Sequence, residues 1–206
     1  MLPDEIRTFI KIFSALPSIG IRQATRLAFK LVNSGKTAID ETAKAISDLR
    51  FLKLCSRCFF VYQGPEHLCS ICSDPKRRGD IIALIEKETD LISIEKTGKF
   101  KGRYLILGEL AKSGELETSQ KLRLSHLKTI LKKDFGPPYS QGDGRAEEII
   151  LALNPTTYGD LNALIISKEL EGSAKKITRL GRGIPTGGEI EFADEDTLRS
   201  ALERRG

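Results

Sequence analysis

In the first third of the chain, apolar residues return every three or four positions. Ile6, Phe9, Ile10, Phe13 and Leu16 predict a first amphipathic helix. Pro17 ends it, because the residue before a proline is pushed out of helical backbone. Ser18-Ile19-Gly20 reads as a tight turn. Ala24, Leu27, Ala28, Leu31 and Val32 form the stripe of a second helix, with Gly35 as its C-terminal cap. A third helix is predicted over residues 37–51, burying Ile39, Ala43, Ile46 and Leu49.

Beyond residue 80 the pattern changes. Short continuous apolar runs at 81–85, 104–107 and 149–153 read as strands buried on both faces, and 176–179 as a fourth strand. Helical spacing lies between them, at 89–96, at 119–133 with Leu124, Leu127, Ile130 and Leu131 inward, and at 157–170. This alternation predicts a mainly parallel sheet covered by helices. Residues 136–144, rich in Gly and Pro, read as a long flexible loop, and 187–192 as an edge strand before a short last helix. No internal repeat is visible. The fold class is therefore mixed, α+β or α/β in several parts: an N-terminal helical region, a small cysteine module, an α/β domain and a C-terminal tail.

All four cysteines sit between the two patterns, as Cys55-x-x-Cys58 and Cys69-x-x-Cys72 with ten residues between the pairs. Two thiolates at C-x-x-C spacing can meet one ion, and a second pair completes a tetrahedron. All-sulfur tetrahedral sites favour zinc or iron–sulfur chemistry, and zinc is the ion expected, one per chain. The intervening loop is too short and polar to fold by apolar burial. Zinc would supply its folding free energy, on the order of 10 kcal/mol in isolated fingers. Disulfides or spectator thiols are the competing readings. His67 beside Cys69 reads as a surface residue, since four sulfurs fill the shell.

Charge sharpens this picture. Residues 1–80 carry 13 Lys and Arg against 8 Asp and Glu, and residues 81–206 carry 20 of each, so the net charge of +5 lies wholly in the N-terminal part. Nucleic acid is the commonest partner of such a surface, and a merely solvated basic surface is the competing reading. No apolar run approaches the length of a bilayer span. The acidic start of the chain lacks a signal-peptide pattern and reduced cysteines are implied, so a cytoplasmic address is expected.

Two constellations could carry chemistry. In the first, Gly20 lets backbone approach a ligand at the start of the second helix, whose free N–H groups attract phosphate. Arg22, Arg26 and Lys30, spaced by four, share a face away from the apolar stripe. Together they read as a sequence-independent DNA contact, with an ordinary helical hairpin bearing a solvated basic face as the competing reading. In the second, Glu86 ends the first sheet strand, and Asn154 to Asp160 follow the third on the same rim, where parallel sheets place ligands. Glu86 with Asp160 and Asn154 is a sparse magnesium site, because Tyr158 occupies the intermediate place, so catalysis is not expected. His126 lies in a helix without an obvious partner, and Lys128, Lys132 and Lys133 read as a solvated helix end.

These pieces, in this order, resemble the RecR family of bacterial recombination mediators along nearly the whole chain. The helix-hairpin-helix resembles Leu16 to Gly20 with Arg22 and Arg26. The zinc motif resembles Cys55 to Cys72 followed by Ser73-Asp74-Pro75-Lys76-Arg77. The Toprim domain resembles 82–90, 94–104 and Asn154-Pro155-Thr156, and the C-terminal segment resembles 183–192. The resemblance implies a non-catalytic homotetrameric ring around double- and single-stranded DNA. Such a protein works with RecO, and often RecF, to load RecA onto single strands. It further implies a DNA face at Arg22 and Arg26, and a partner rim at Glu86 and the Asn154 loop. It divides the chain into 1–53, helix-hairpin-helix; 54–78, zinc finger; 79–170, Toprim; and 171–206, a segment completing the sheet and subunit contacts.

This sequence departs from the family pattern in four places. Ser18 replaces the first hairpin glycine. Tyr158 and Asp160 stand where two glutamates are usual. Residues 108–114 lack the His-Leu-Ser-Pro pattern, and 136–144 looks inserted. Two rivals use the same residues: a metal-dependent Toprim nuclease or primase-type enzyme, and a zinc-containing scaffold that binds only protein.

Overall fold

The computed structural model describes residues 2–137, 142–181, 183–184 and 186–203. The chain divides into two units, Met1–Leu52 and Lys53–Gly206.

The first unit holds α1 (Asp4–Phe13), α2 (Ile21–Asn33), α3 (Lys36–Asp48) and a single 3-10 turn, Leu49–Phe51. Asp4 and Glu5 occupy the first turn of α1, where carboxylates suit the helix dipole. The α-helix stops three residues before the predicted end of its stripe. Ala15 and Leu16 continue only as three-residue turns, with N–H bonds to Ile12 and Phe13 at 3.3 and 3.1 Å, as the chain tightens toward Pro17. Gly35 has φ +89°, the left-handed conformation expected at the end of α2.

Among the described residues of this unit only Ala24 and Ala28 are fully buried. The predicted burial along the third helix does not occur. Ile39, Ile46 and Leu49 are 39, 50 and 63% exposed, and the α-helix ends at Asp48 rather than Phe51. A unit this small cannot enclose the apolar faces of all its helices.

Ser18 has φ +64° in the turn between α1 and α2, closed by Ile19 N–H to the Leu16 carbonyl at 3.2 Å. A side chain in left-handed backbone costs about 1 kcal/mol or more, and glycine escapes that cost. Ser18→Gly is therefore expected to stabilise this unit by about 1 kcal/mol in chemical denaturation. An unchanged or lowered midpoint would contradict the argument.

The second unit opens with an antiparallel pair, β1 (Lys53–Leu54) and β2 (Val61–Tyr62), and the short α4 (Ser70–Ser73). The sheet domain follows: β3 (Ile81–Ile85), α5 (Glu88–Lys96), β4 (Arg103–Ile106), α6 (Thr118–Phe135), β5 (Ala146–Ala152), α7 (Thr157–Glu169), β6 (Ala174–Arg179) and α8 (Glu195–Glu203). Its four strands are parallel in the order β4-β3-β5-β6. Ile82 faces Arg103 on one side and Ile149 on the other, so β3 lies at the centre.

Alternation along each strand divides two cores. Ile82, Leu84, Leu105, Ile149 and Leu151 pack with Leu124, Leu127 and Leu131 of α6 and Ala163 and Ile166 of α7. Ala83, Ile85, Tyr104, Ile106 and Ala152 face the other way, onto Leu91 and Ile94 of α5. Among the described residues α5 is the one long helix on this face. Phe60 and Ile71 of the cysteine module pack on this second face as well as on the four cysteines. The module is thus part of the sheet's cover. Arg77 fastens its exit, with Nη1 donating to Glu95 Oε1 at 2.9 Å and to the Gly102 carbonyl at 3.1 Å.

The expected edge strand at 187–192 is not formed. Gly187 has φ +85°, and Ile190–Phe192 is a 3-10 turn with Ile190 and Phe192 68 and 79% exposed. A left-handed residue breaks the extended run, leaving β6 outermost among the described strands. The centre of the predicted 136–144 loop, 138–141, lies outside the described residues.

Candidate metal centre, sheet rim and nucleic-acid face

Two turns bring the cysteines together. In the first, Cys55 N–H bonds to the Phe60 carbonyl at 2.9 Å, and Phe59 N–H bonds to the Cys55 carbonyl at 3.0 Å. In the second, α4 begins at Ser70 directly after Cys69 and places Cys72 one turn on. All four side chains are buried, and their sulfurs lie within 4.8 Å of one another, Cys58 and Cys69 at 3.5 Å. A disulfide needs about 2.0 Å, and all four thiols are free. Zinc bonds of about 2.3 Å would space four sulfurs about 3.8 Å apart, so this set fits a tetrahedral ion.

The thiols cannot all ionise alone. Hydrogen bonding, first from Cys58 and then from Cys69 and Cys72, pulls Cys55 far below the ordinary thiol range, and hydrogen bonding to Cys55 pushes Cys58 and Cys72 far above it. A divalent cation removes that competition, because it holds every sulfur as thiolate. Cys69 N–H already points at Cys55 Sγ at 3.3 Å, as a donor to a charged sulfur would. His67 is exposed and outside the set.

His126 is not without a partner: its Nε2 lies 2.7 Å from the Ser56 carbonyl, and its ring meets Phe59 edge-on at 5.5 Å. Lys128, part-exposed at the surface, likewise has a partner, Glu169 at 2.7 Å. Helical periodicity shows which face a residue occupies, and these partners are 70 and 41 positions away in the chain.

At the rim, Glu86 and Asn154 meet. Glu86 Oε1 accepts the Leu110 N–H and Oε2 accepts Asn154 Nδ2–H, both at 3.0 Å. Asp160, one turn into α7, instead forms an ion pair with Arg179 of β6. The expected facing carboxylates are thus engaged separately, and among the described residues only the cysteines form a cluster of metal-ligating side chains. Tyr158 is half exposed, its ring 5.8 Å from Lys112 Nζ. A cavity of about 690 Å³ lies beside the rim, lined by Leu153, Thr156, Asp160, Arg179, Asp194 and Thr197.

Several rim-building residues escaped the sequence reading. Buried Gln120 donates to the Glu109 carbonyl at 2.7 Å, and buried Asn162 donates to the Ala111 carbonyl at 2.9 Å. Together with Glu86 they pin the segment 108–114. An amide interrupting an otherwise apolar helix face was the available signal. Gly159 is packed so tightly that a Cβ there would lie 1.9 Å from the Asn154 carbonyl oxygen.

In the N-terminal unit, Arg22, Arg26 and Lys30 are all exposed, on the side of α2 away from buried Ala24 and Ala28. Gly20 is the N-cap of α2. No side chain caps its N–H groups and no acidic residue lies in its first turn. The start of the helix therefore keeps its attraction for anions.

Comparison with known proteins agrees with this architecture. Residues 80–181 match the model of the Toprim domain, and 183–205 match that of the RecR C-terminal region. The chain is 36% identical over 206 residues to Recombination protein RecR of Gloeobacter violaceus, covering 100% of this chain and 98% of the relative. It is 37% identical to the Clostridium perfringens protein of that name, covering 98% and 96%, and 33% identical to that of Myxococcus xanthus, covering 100% and 98%. Extending across helical region, cysteine module and sheet domain alike, this similarity places the chain in the RecR family.

Proposed function

We propose that this protein is a DNA-binding mediator of recombinational repair that helps load RecA onto single-stranded DNA with RecO- and RecF-like partners. The observation that carries the reading is full-length similarity to proteins named for recombination, joined to a basic, uncapped start of α2. Gly20, Arg22, Arg26 and Lys30 form the DNA face. Cys55, Cys58, Cys69 and Cys72 hold one zinc ion, whose part is to supply folding free energy to the module. Glu86, Asn154 and Asp160 belong to the rim that meets the protein partner. The chain works as four parts, 1–53, 54–78, 79–170 and 171–206, and acts without turnover.

Assembly into a homotetrameric ring accords with the N-terminal unit. Ile12, Ile21, Val32, Ile46, Leu49 and Phe51 there are 50–69% exposed, a degree of apolar exposure that subunit contacts relieve. No helix among the described residues is long and apolar enough to cross a membrane. Action on chromosomal DNA sets the site of work in the cytoplasm, at the nucleoid. The nuclease reading is weakened because Glu86 and Asp160 are each already engaged, by Asn154 with Leu110 and by Arg179.

The double change Arg22→Glu, Arg26→Glu is expected to abolish DNA binding, measured by fluorescence anisotropy, while zinc content and oligomer mass are kept. Binding by the parent should fall steeply with salt and depend little on base sequence, since phosphate contacts release counterions. Retained binding in this variant, with loss on reversal of Lys132 and Lys133, would place the DNA face elsewhere. Magnesium-dependent cleavage lost in Glu86→Gln would overturn the non-catalytic reading.

A further inference from the structure

Helix α6 belongs to the sheet domain, yet three of its side chains grip the first cysteine turn. His126 Nε2–H donates to the Ser56 carbonyl at 2.7 Å, and Ser56 lies between Cys55 and Cys58. On its other side, Ser56 N–H and its hydroxyl both donate to the His67 carbonyl at 3.0 Å. Arg57 pairs with Asp134 of α6 at 2.8 Å.

Phe59, directly after Cys58, has φ +63°. Glycine would take that conformation without strain, so a phenylalanine there needs a reason. Its ring supplies one. The Arg123 guanidinium lies 4.7 Å from the ring centroid, and the His126 ring meets it edge-on at 5.5 Å. Arg123 Nη1–H also donates to the Ile106 carbonyl at 2.9 Å, and Ile106 N–H donates to the Cys58 carbonyl at 3.0 Å. Cys58, Phe59, Arg123 and Ile106 thus close a circuit joining a metal-ligating turn, a helix and the outer strand β4. The segment after that strand carries Gly108 and Leu110, whose N–H groups bond the carbonyl and carboxylate of Glu86 at 2.9 and 3.0 Å.

We propose that His126 and Arg123 are positioning residues of the metal centre, and that Phe59 is the handle by which they hold it. They keep the Cys55–Cys58 turn shaped for the ion, and the loaded turn in return caps the open edge of β4. Metal retention is therefore a property of the sheet domain as well as of the cysteine module. The proposal rests on the assignment of a metal to the four cysteines. Groups that orient ligands from outside the coordination sphere typically change metal affinity 10–100-fold.

The test uses the full chain purified without chelator, following zinc transfer to a chromogenic chelator and amide exchange at Ile106. His126→Ala is expected to release zinc about tenfold or more faster and to speed Ile106 exchange. His126→Gln, whose amide can donate to the Ser56 carbonyl, is expected to restore slow release. Phe59→Gly relieves the left-handed backbone but removes the handle, so faster release is expected from it, whereas a turn governed by backbone strain alone would hold zinc longer. Lys132→Ala, exposed on the same helix, should behave as the parent. Parent-like release and exchange in both His126→Ala and Phe59→Gly would overturn the proposal. Should His126→Ala fail to fold, Phe59→Gly and His126→Gln decide. A parent chain carrying no zinc would overturn the metal assignment itself, a result read before any variant.

Discussion

Cys58→Ser is expected to empty the metal centre and to destabilise the sheet domain as well as the module. Structural zinc contributes on the order of 10 kcal/mol to the folding of isolated finger peptides. An ion bound by the four cysteines would here hold a cover in place. Phe60 and Ile71 pack on the cysteines and on Ala83, Ile85, Tyr104 and Ile106 of the second sheet face. Cys58 also accepts the Ile106 N–H through its carbonyl. With the turn released, α5 and its flanking residues are what the described residues leave over that face. The expected loss is several kcal/mol, lowering the melting temperature by on the order of 10 °C in calorimetry. Chelator-treated parent protein should melt with the variant. A zinc-free variant melting with the untreated parent would show that the sheet does not depend on the module.

Gly159→Ala is expected to be severely destabilising, although alanine favours a helix over glycine by about 1 kcal/mol. Gly159 lies in the first turn of α7, its N–H bonded to Thr156 Oγ1 at 3.0 Å. An added Cβ would meet the Asn154 carbonyl oxygen at 1.9 Å and the carbonyl carbon at 3.0 Å, both backbone atoms. No rotamer change can relieve that contact, so either α7 tilts or the Asn154 turn moves. The second choice breaks the Asn154–Glu86 hydrogen bond at the centre of the rim. A loss of about 2–4 kcal/mol in urea unfolding is expected, with zinc content intact. Stabilisation by Gly159→Ala would mean the helix start is looser than this geometry. If the rim meets a protein partner, the variant should lose that binding while keeping DNA binding.

Local rules carried the sequence reading far. The paired C-x-x-C spacing places four sulfurs in one cluster because each pair spans one tight turn. The apolar runs at 81–85 and 149–153 become central strands because continuous apolar residues need burial on both faces. Where local rules met competition, boundaries moved: α1 stops at Phe13, and Gly187 breaks the run read as an edge strand. The rim was legible as a place, since Glu86 and Asn154 end neighbouring strands. Its pairing was not, because Asp160 turns to Arg179, a residue nineteen positions later on β6.

The sequence by itself determined the order of parts, the set of four clustered cysteines, the basic face of α2 and a mixed fold with a parallel sheet. Each follows from spacing within elements and turns or from the order in which they alternate along the chain. Only the tertiary structure decided what each part leans on. The cysteine module completes the second face of the sheet through Phe60 and Ile71. His126 and Arg123 hold the first cysteine turn, and Phe59 bears a left-handed backbone to be held. These contacts join residues tens of positions apart, on elements whose separate periodicities carry no information about each other. Their geometry is set by which strand lies at the edge of the sheet and which helix passes over it.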